Sequence, residues 1–376
     1  MPGSAAVDGT TTPAPPSPAP SSDVSALAAQ VDAFMSGAAT LTEDLWDEVV
    51  AGPASSEALT ELVAAARAAD GGKYLRPRLV AASCYAAGGA DLPLLRRVAG
   101  AQQLLHVALC VHDDLIDGDE VRHGRVGVVP RVESAAQAAG ETATDARRRG
   151  SAAGVLAGDL AITTALGALV SAPAPADVRL RLAQTALSAL QQAIAGETLD
   201  VWSETAPPET ARPLSVAALK TASYSITLPL TLGAVAAGVT DEAALAALGE
   251  VGEPLGIAYQ LRDDDLGLFG EPTTTGKSVV SDLRDGKRTE HVRVAALRAT
   301  PEQRRDLDRL LGDPDLDDDG AEVLRTIIVS TGARAAVLEQ VDALLGQALE
   351  AAEAGLPPAL STYLVGLTAS LRDRER

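Results

Sequence analysis

Apolar residues along this chain recur with the three-to-four-residue spacing of helices, and they seldom alternate one by one with polar ones. Ala and Leu dominate, Gly and Pro interrupt at roughly helix-length intervals, and no Val/Ile/Thr-rich run alternates as a strand would. The pattern predicts an all-α chain with helices over 23–51, 55–69, 76–88, 92–116, 151–171, 176–201, 213–237, 241–268, 280–298, 302–311, 320–332, 334–354 and 357–372. Several are apolar nearly all round, as in "VAGAQQLLHVALCV", which places them at the centre of a bundle. The segment 131–150, ending "GETATDARRRG", lacks apolar periodicity and reads as a mobile loop. Residues 1–22, rich in Pro, Ala, Ser and Thr, read as a disordered tail without the basic start of a signal peptide, leaving one domain over 23–376. The apolar run "ITLPLTLGAVAAGV" at 226–239 is too short to span a bilayer and contains Pro229, so a buried helix is expected and no membrane span is predicted.

Composition narrows the partners. A net charge of −20 over 376 residues disfavours nucleic acid and anionic membrane surfaces, leaving small molecules, while 47% hydrophobic residues suffice for a sizeable core. Only Cys84 and Cys110 occur, each within an apolar stretch, which fits two core thiols in a reducing cytoplasm and excludes a disulfide framework.

Charge is concentrated in two places. "LCVHDDLIDGDEVRHGR" at 109–125 puts Asp113 and Asp117 four residues apart, on one helix face, with Asp114 about 100° away. Acidic groups at a helix C-terminus oppose the helix dipole, so as a purely structural feature the cluster would cost stability. Carboxylates in this arrangement suit Mg²⁺, which takes a few carboxylates together with water and substrate phosphates. A second cluster, "YQLRDDDLGLFG" at 259–270, again ends an apolar stretch, and at most two of Asp263, Asp264 and Asp265 can face one site; Asp263 and Asp264 are the choice. The chain has only four lysines, Lys73, Lys220, Lys277 and Lys287, against 27 arginines. Three of the four follow Gly, where backbone and ammonium can approach an anion closely, and together with the two Asp-rich helix ends they point to metal-bridged diphosphate binding.

At this point the chain resembles the trans-isoprenyl diphosphate synthases, or polyprenyl synthetases. "GGKYLRP", His106 with "HDDLID", "GETLD", "KTASYS", "YQLRDD" and "GKSVVSDLRDGKRT" follow the family's motifs in order from about residue 71 to 289. The resemblance implies an isoprenoid-synthase-type helical bundle around a deep central cavity, a homodimer, and three Mg²⁺ ions per site. It implies that Asp113, Asp117 and Asp263 hold Mg²⁺ on an allylic diphosphate, that Arg122, Lys220 and Lys277 bind that diphosphate, and that Lys73, Arg76 and His106 bind isopentenyl diphosphate. Thr221 and Gln260 would then line the reacting carbon.

The chain also departs from the family's pattern. Gly267 stands where a third Asp is common, so one outer metal contact is expected to be missing; Glu197 replaces a Gln; and His123 replaces the second Arg of an RRG element, weakening the isopentenyl clamp unless Arg125 substitutes. Product length is expected to depend on Ala108 and Leu109, five and four residues before Asp113, where the resemblance implies that an aromatic residue stops growth at fifteen carbons. Neither is aromatic, so the next barrier is Leu105 or Leu104, one turn of about 5.4 Å deeper. Trp202 and Tyr224 are further candidates for closing the tunnel. The expected product is geranylgeranyl diphosphate, with farnesyl or longer chains as alternatives, and Ala108→Phe is expected to shorten it. A class I terpene cyclase would need an N/D-x-x-S/T-x-x-x-E motif that "DDDLGLFGE" lacks, and a non-catalytic regulatory subunit would be expected to lose Asp113 or Asp117. The acidic run "DPDLDDDG" at 313–320 has Thr326 where a calcium loop needs Glu, and reads as a solvated loop before a helix; His112 and His291 read as structural.

Overall fold

Polar side chains at helix starts set much of the element pattern. Asp23, Ser56, Asp91, Thr142, Asp241, Thr289, Thr300 and Asp317 each accept a backbone amide from the turn that follows, satisfying donors that a first turn leaves open. The computed structural model describes residues 23–122, 124–270 and 281–372. Helices α1 (Val24–Met35), α2 (Glu43–Val50), α3 (Glu57–Ala69) and α4 (Leu75–Ala86) lead to α5 (Leu92–Asp117), whose last turn carries the first acidic cluster. A hairpin of β1 (Val121–Arg122) and β2 (Arg125–Val126) follows, then α6 (Val128–Ala138), α7 (Ala143–Val170) and α8 (Ala176–Ser203). Helix α9 (Pro213–Val216) runs through a π-helical segment, Ala217–Thr227, into α10 (Leu228–Ala236). Pro229 has no amide to donate and its ring crowds the preceding turn, which fits the widened winding ahead of it. Helix α11 (Glu242–Phe269) ends in the second acidic cluster, and α12 (Ser281–Arg284), α13 (Glu290–Arg298), α14 (Pro301–Leu310), α15 (Asp318–Ser330), α16 (Ala333–Gly355) and α17 (Pro358–Arg372) complete the chain.

The fold is all-α. Helix α5 packs between α4 and α7, and α11 lies between the π-helical segment and α16, so the two acidic helix ends both belong to central helices. Leu79, Leu95, Leu104, Leu105, Leu228 and Leu230 are fully buried in the main core. A smaller core, including Leu268, Leu283, Val292 and Leu324, lies under the C-terminal end of α11. Helix α7 has the length and apolarity to cross a bilayer, yet its edge of Ala157, Ala161, Ala165 and Leu169 is buried in the bundle.

Three segments differ from the sequence reading. Residues 131–150 are not one loop: α6 and the start of α7 take all but the short turn 139–142. Thr142 caps α7, and α6 lies on its glycine face, where a Cβ on Gly150 would stand 2.8 Å from the Val129 carbonyl oxygen. Tertiary contact therefore specifies helices that apolar periodicity does not announce. The expected helix 23–51 breaks into α1 and α2, because the Leu41 backbone between them presses against Gly100 of α5. In the expected helix 280–298, α12 and α13 are separated by a turn in which Gly286 takes φ +73°, a left-handed value that suits glycine.

Candidate active site

The cavity face of α5 carries His106, Leu109, Asp113 and Asp117, at helical spacings of three and four that bring all four onto one side. Gly118, at φ +73°, ends the helix and lets the hairpin fold Arg122 back onto the acidic turn. Arg122 donates to Asp113 Oδ2 at 2.5 Å and to Asp114 Oδ1 at 2.6 Å. Lys220, on the π-helical segment, places Nζ 2.7 Å from Glu197 Oε2, 2.8 Å from Asp200 Oδ2 and 3.1 Å from Asp113 Oδ1. Lys287 donates to Asp117 Oδ1 at 2.6 Å. Lys220 can approach α8 this closely because residue 196 has no side chain: a Cβ there would stand 2.3 Å from the Lys220 amide nitrogen.

These groups set one another's ionisation. Burial would lift the Asp113 carboxyl, but the charges of Lys220 and Arg122 outweigh it and hold that carboxyl well below the usual range. Burial works against the Lys220 ammonium in turn, and Asp113, Asp200 and Glu197 push it above its ordinary value. On α11, Asp263 and Asp264 line the same cavity. Thr221 donates to Gln260 Oε1 at 2.6 Å, and Gln260 Nε2 donates to Asp264 Oδ1 at 2.8 Å. Burial, aided by Asp282, Asp263 and Asp200 and opposed by the Gln260 bond, pushes the Asp264 carboxyl up to about 8. Asp265, almost fully buried at the cavity's edge, is engaged by Arg334 at 2.8 and 3.2 Å and by His291 at 3.3 Å.

The opposite charge pattern holds near the Gly71–Gly72 loop. Arg76 contacts His106 Nε2 at 3.2 Å and donates to Ser225 Oγ at 2.7 Å and Tyr224 Oη at 3.2 Å. Lys73 and Arg76 have no carboxylate at ion-pair distance among the described residues, whereas Lys220, Lys287 and Arg122 all do. Both sets of cations line one cavity of about 1720 Å³.

The donor set fits a divalent cation of the Mg²⁺ type. Buried Asp113 Oδ1 and Glu197 Oε1 accept no hydrogen bond, Lys220 Nζ standing near the former at an unfavourable angle, so lone pairs remain free at the acidic cluster. Among the described residues no three acidic or imidazole groups close into a ready-made cage.

Residues 57–327 match the Polyprenyl synthetase family. The chain belongs to that family. It is 33% identical over 273 residues to the geranylfarnesyl diphosphate synthase of Aeropyrum pernix, spanning 70% of this chain and 77% of that protein. The geranylgeranyl diphosphate synthase of Mycobacterium tuberculosis is 34% identical over 248 residues, spanning 66% of this chain and 65% of the relative. Among solved structures, a geranylgeranyl pyrophosphate synthase from Corynebacterium glutamicum, complexed with isoprenyl diphosphate and magnesium, aligns with a TM-score of 0.83 and 28% identity over 92% of this chain and 99% of that one. As a polyprenyl synthetase the protein is a prenyltransferase, and the family uses Mg²⁺.

Within this polyprenyl synthetase, the predicted Lys73, Arg76, His106, Asp113, Asp117, Arg122, Lys220, Thr221, Gln260 and Asp263 line that one cavity together. Lys277, His123 and the tail 1–22 lie outside the described residues. Leu109 lines the cavity, but Ala108 and Leu105, both fully buried, are not among the lining residues: their helical angles turn them into the packed bundle. Tyr224 stacks on His106 beside Arg76, and Trp202 is 73% exposed. Cys110 borders the cavity beside His106 rather than lying in the core.

Sequence reasoning missed three contributions. Asp200 and Glu197 were visible within "GETLD", but not their grip on Lys220. Lys287 was counted as a lysine without being placed on Asp117. The space at Gly267 is filled from another element: a Cβ there would lie 2.8 Å from Asp282 Oδ2, so a carboxylate of α12 stands where the motif's third acid is absent.

Proposed function

We propose that this prenyltransferase condenses isopentenyl diphosphate with an allylic diphosphate to a linear all-trans product, and that the product is geranylgeranyl diphosphate. The observation that carries this reading is the segregation of cations in one cavity. Lys73 and Arg76 stand without carboxylates beside His106, ready for a diphosphate that needs no metal, whereas Lys220, Arg122 and Lys287 are engaged by carboxylates. Asp113, Asp117 and Asp263 would hold Mg²⁺, three ions in each site, which when bound would neutralise the allylic diphosphate as it departs.

The chain's own groups account for the rest. Lys220 and Arg122, with Lys277, hold the allylic diphosphate so that its C1–O bond can break, the electron pair leaving with pyrophosphate. Arg76, Lys73 and His106 orient isopentenyl diphosphate so that its terminal alkene carbon bonds to that C1. The dipoles of Thr221 and Gln260 lie along the cavity wall where the allylic cation forms. That bond leaves the positive charge on the alkene's inner carbon, and the methylene beside it then loses a proton to the released pyrophosphate as the new double bond forms, so no protein general base is required. The scarcity of aromatic residues, 2% of the chain, leaves mostly aliphatic side chains to meet the growing hydrocarbon.

Leu109, the lining residue one turn before Asp113, supports a twenty-carbon product because it is aliphatic where an aromatic ring would stop the chain early. The geranylgeranyl diphosphate synthase among the relatives points the same way, and the geranylfarnesyl synthase marks the longer alternative. A homodimer accounts for an exposed apolar stripe on α8, Leu180, Leu187 and Ile194. Free Cys84 and Cys110 suit a cytoplasmic setting.

Mass analysis of products from purified protein, given isopentenyl diphosphate and each of the five-, ten- and fifteen-carbon allylic diphosphates with and without Mg²⁺, tests the reading. A Mg²⁺-dependent twenty-carbon product is expected. A fifteen- or twenty-five-carbon end product would overturn the length, and no condensation with any starter would overturn the reaction.

A further inference from the structure

We propose that Arg125 is a positioning residue for isopentenyl diphosphate, acting by holding the Gly71–Gly72–Lys73 loop. The inference rests on the reading that Lys73 and Arg76 receive that substrate.

The loop needs something to hold it. Tyr74 is the one non-glycine residue among those described with a positive φ, +50°, and Gly72, two residues earlier, takes +89°. Backbone in that region persists only where its surroundings over-determine it. Two contacts come from inside the bundle: Thr42 Oγ1 donates to Asp70 Oδ2 at 2.9 Å, and Gln103 Nε2 donates to Asp70 Oδ1 at 2.7 Å, fixing a carboxylate that is only 7% exposed. The third comes from the hairpin. Arg125 Nη1 donates to the Asp70 carbonyl oxygen, and the guanidinium lies flat against Gly71, where a Cβ would stand 3.1 Å from its Nε. A side chain at 71 would push the guanidinium off this seat.

Arg125 makes this contact without forming a salt bridge among the described residues. In a chain of net charge −20, its charge therefore adds to that of Lys73 and Arg76. Its cross-strand partner is Arg122, which grips Asp113 and Asp114. One short hairpin therefore braces the acidic helix end with one strand and the glycine loop with the other, fixing the spacing between the two diphosphate-binding ends.

The test is steady-state kinetics of Arg125→Met and Arg125→Lys beside Lys73→Gln, varying each substrate in turn, with hydrogen exchange followed over residues 70–75. Arg125→Met is expected to raise KM for isopentenyl diphosphate at least tenfold. KM for the allylic substrate should stay within twofold and kcat within threefold, with faster exchange in the loop and partial rescue by Arg125→Lys. If Lys73→Gln raises that KM and Arg125→Met does not, or if Arg125→Met shifts both KM values equally, Arg125 has no positioning role. If Lys73→Gln leaves KM for isopentenyl diphosphate unchanged, the assignment of that end of the cavity fails, and this inference falls with it.

Discussion

Lys220 is held by three carboxylates rather than one, and that arrangement predicts what its removal does. Lys220→Met would leave Asp113, Glu197 and Asp200 crowded around an empty position, each largely buried. Losing one partner of a buried charged cluster costs about 3 kcal/mol, and losing one preorganised donor at a reacting centre costs roughly 100-fold in rate or more. Thermal unfolding and steady-state turnover of the variant should both show the loss; normal turnover would remove Lys220 from the chemistry. Leu109 and Ala108 make a sharper pair. Leu109 lines the cavity, so Leu109→Phe should shorten the proposed twenty-carbon product to fifteen carbons, read by mass spectrometry. Ala108 is fully buried in the bundle, so Ala108→Phe should overpack it, lowering stability by about 1–3 kcal/mol. A stable Ala108→Phe protein making a shorter product would return Ala108 to the tunnel wall.

At the scale of elements, the site depends on close helix approach. The Gly196 face of α8 lies so near the π-helical segment that an added methyl would meet the Lys220 backbone, which cannot swing aside as a flexible side chain would. Gly196→Ala should therefore displace Lys220 and Thr221 together, costing about 1–3 kcal/mol of stability and at least tenfold in kcat. Gly167, on α7, has nothing within contact distance of an added Cβ, so Gly167→Ala should leave kcat unchanged and raise stability by about 0.5–1 kcal/mol. Equal behaviour of the two variants would show that α8 and the π-helical segment can re-space freely. The same distinction explains what was legible in the sequence. Caps and Ala/Leu periodicity are local, so most helices could be read from them, and Asp113 and Asp117 declare their common face by spacing alone. The helices over 131–150 could not be read that way, because Val129 finds its place only against glycines on another helix. The winding of 217–227, the reach of Asp282 to Gly267, the contact of Arg125 with the Asp70 carbonyl and the inward turn of Ala108 likewise arise between elements distant in the chain. Helical periodicity within 105–109 does not say which neighbour each residue meets.

For the whole molecule, the decisive feature is an apolar stripe on a strongly acidic body. On α8, Leu180, Leu187 and Ile194 are 58%, 46% and 57% exposed and recur every seventh residue, so they form one line along the helix. Exposed apolar positions aligned along one helix face make a candidate association surface. A second copy is the natural cover, since a two-fold axis lets the same stripe face itself. Each chain carries a net charge of −20, so two copies repel at long range and a dimer through this stripe would have to be held by apolar burial. Salt screens that repulsion while leaving apolar contact intact, so raising ionic strength should strengthen a dimer of this kind rather than weaken it. Ile194→Glu would add a charge to the stripe without touching the core, leaving the far-ultraviolet spectrum unchanged while shifting the protein to a monomer at micromolar concentration. Sedimentation velocity at low and moderate salt distinguishes the cases. A wild-type monomer at tens of micromolar in both conditions would dismiss the dimer, and a dimer that persists in Ile194→Glu would place its interface on another face of the bundle.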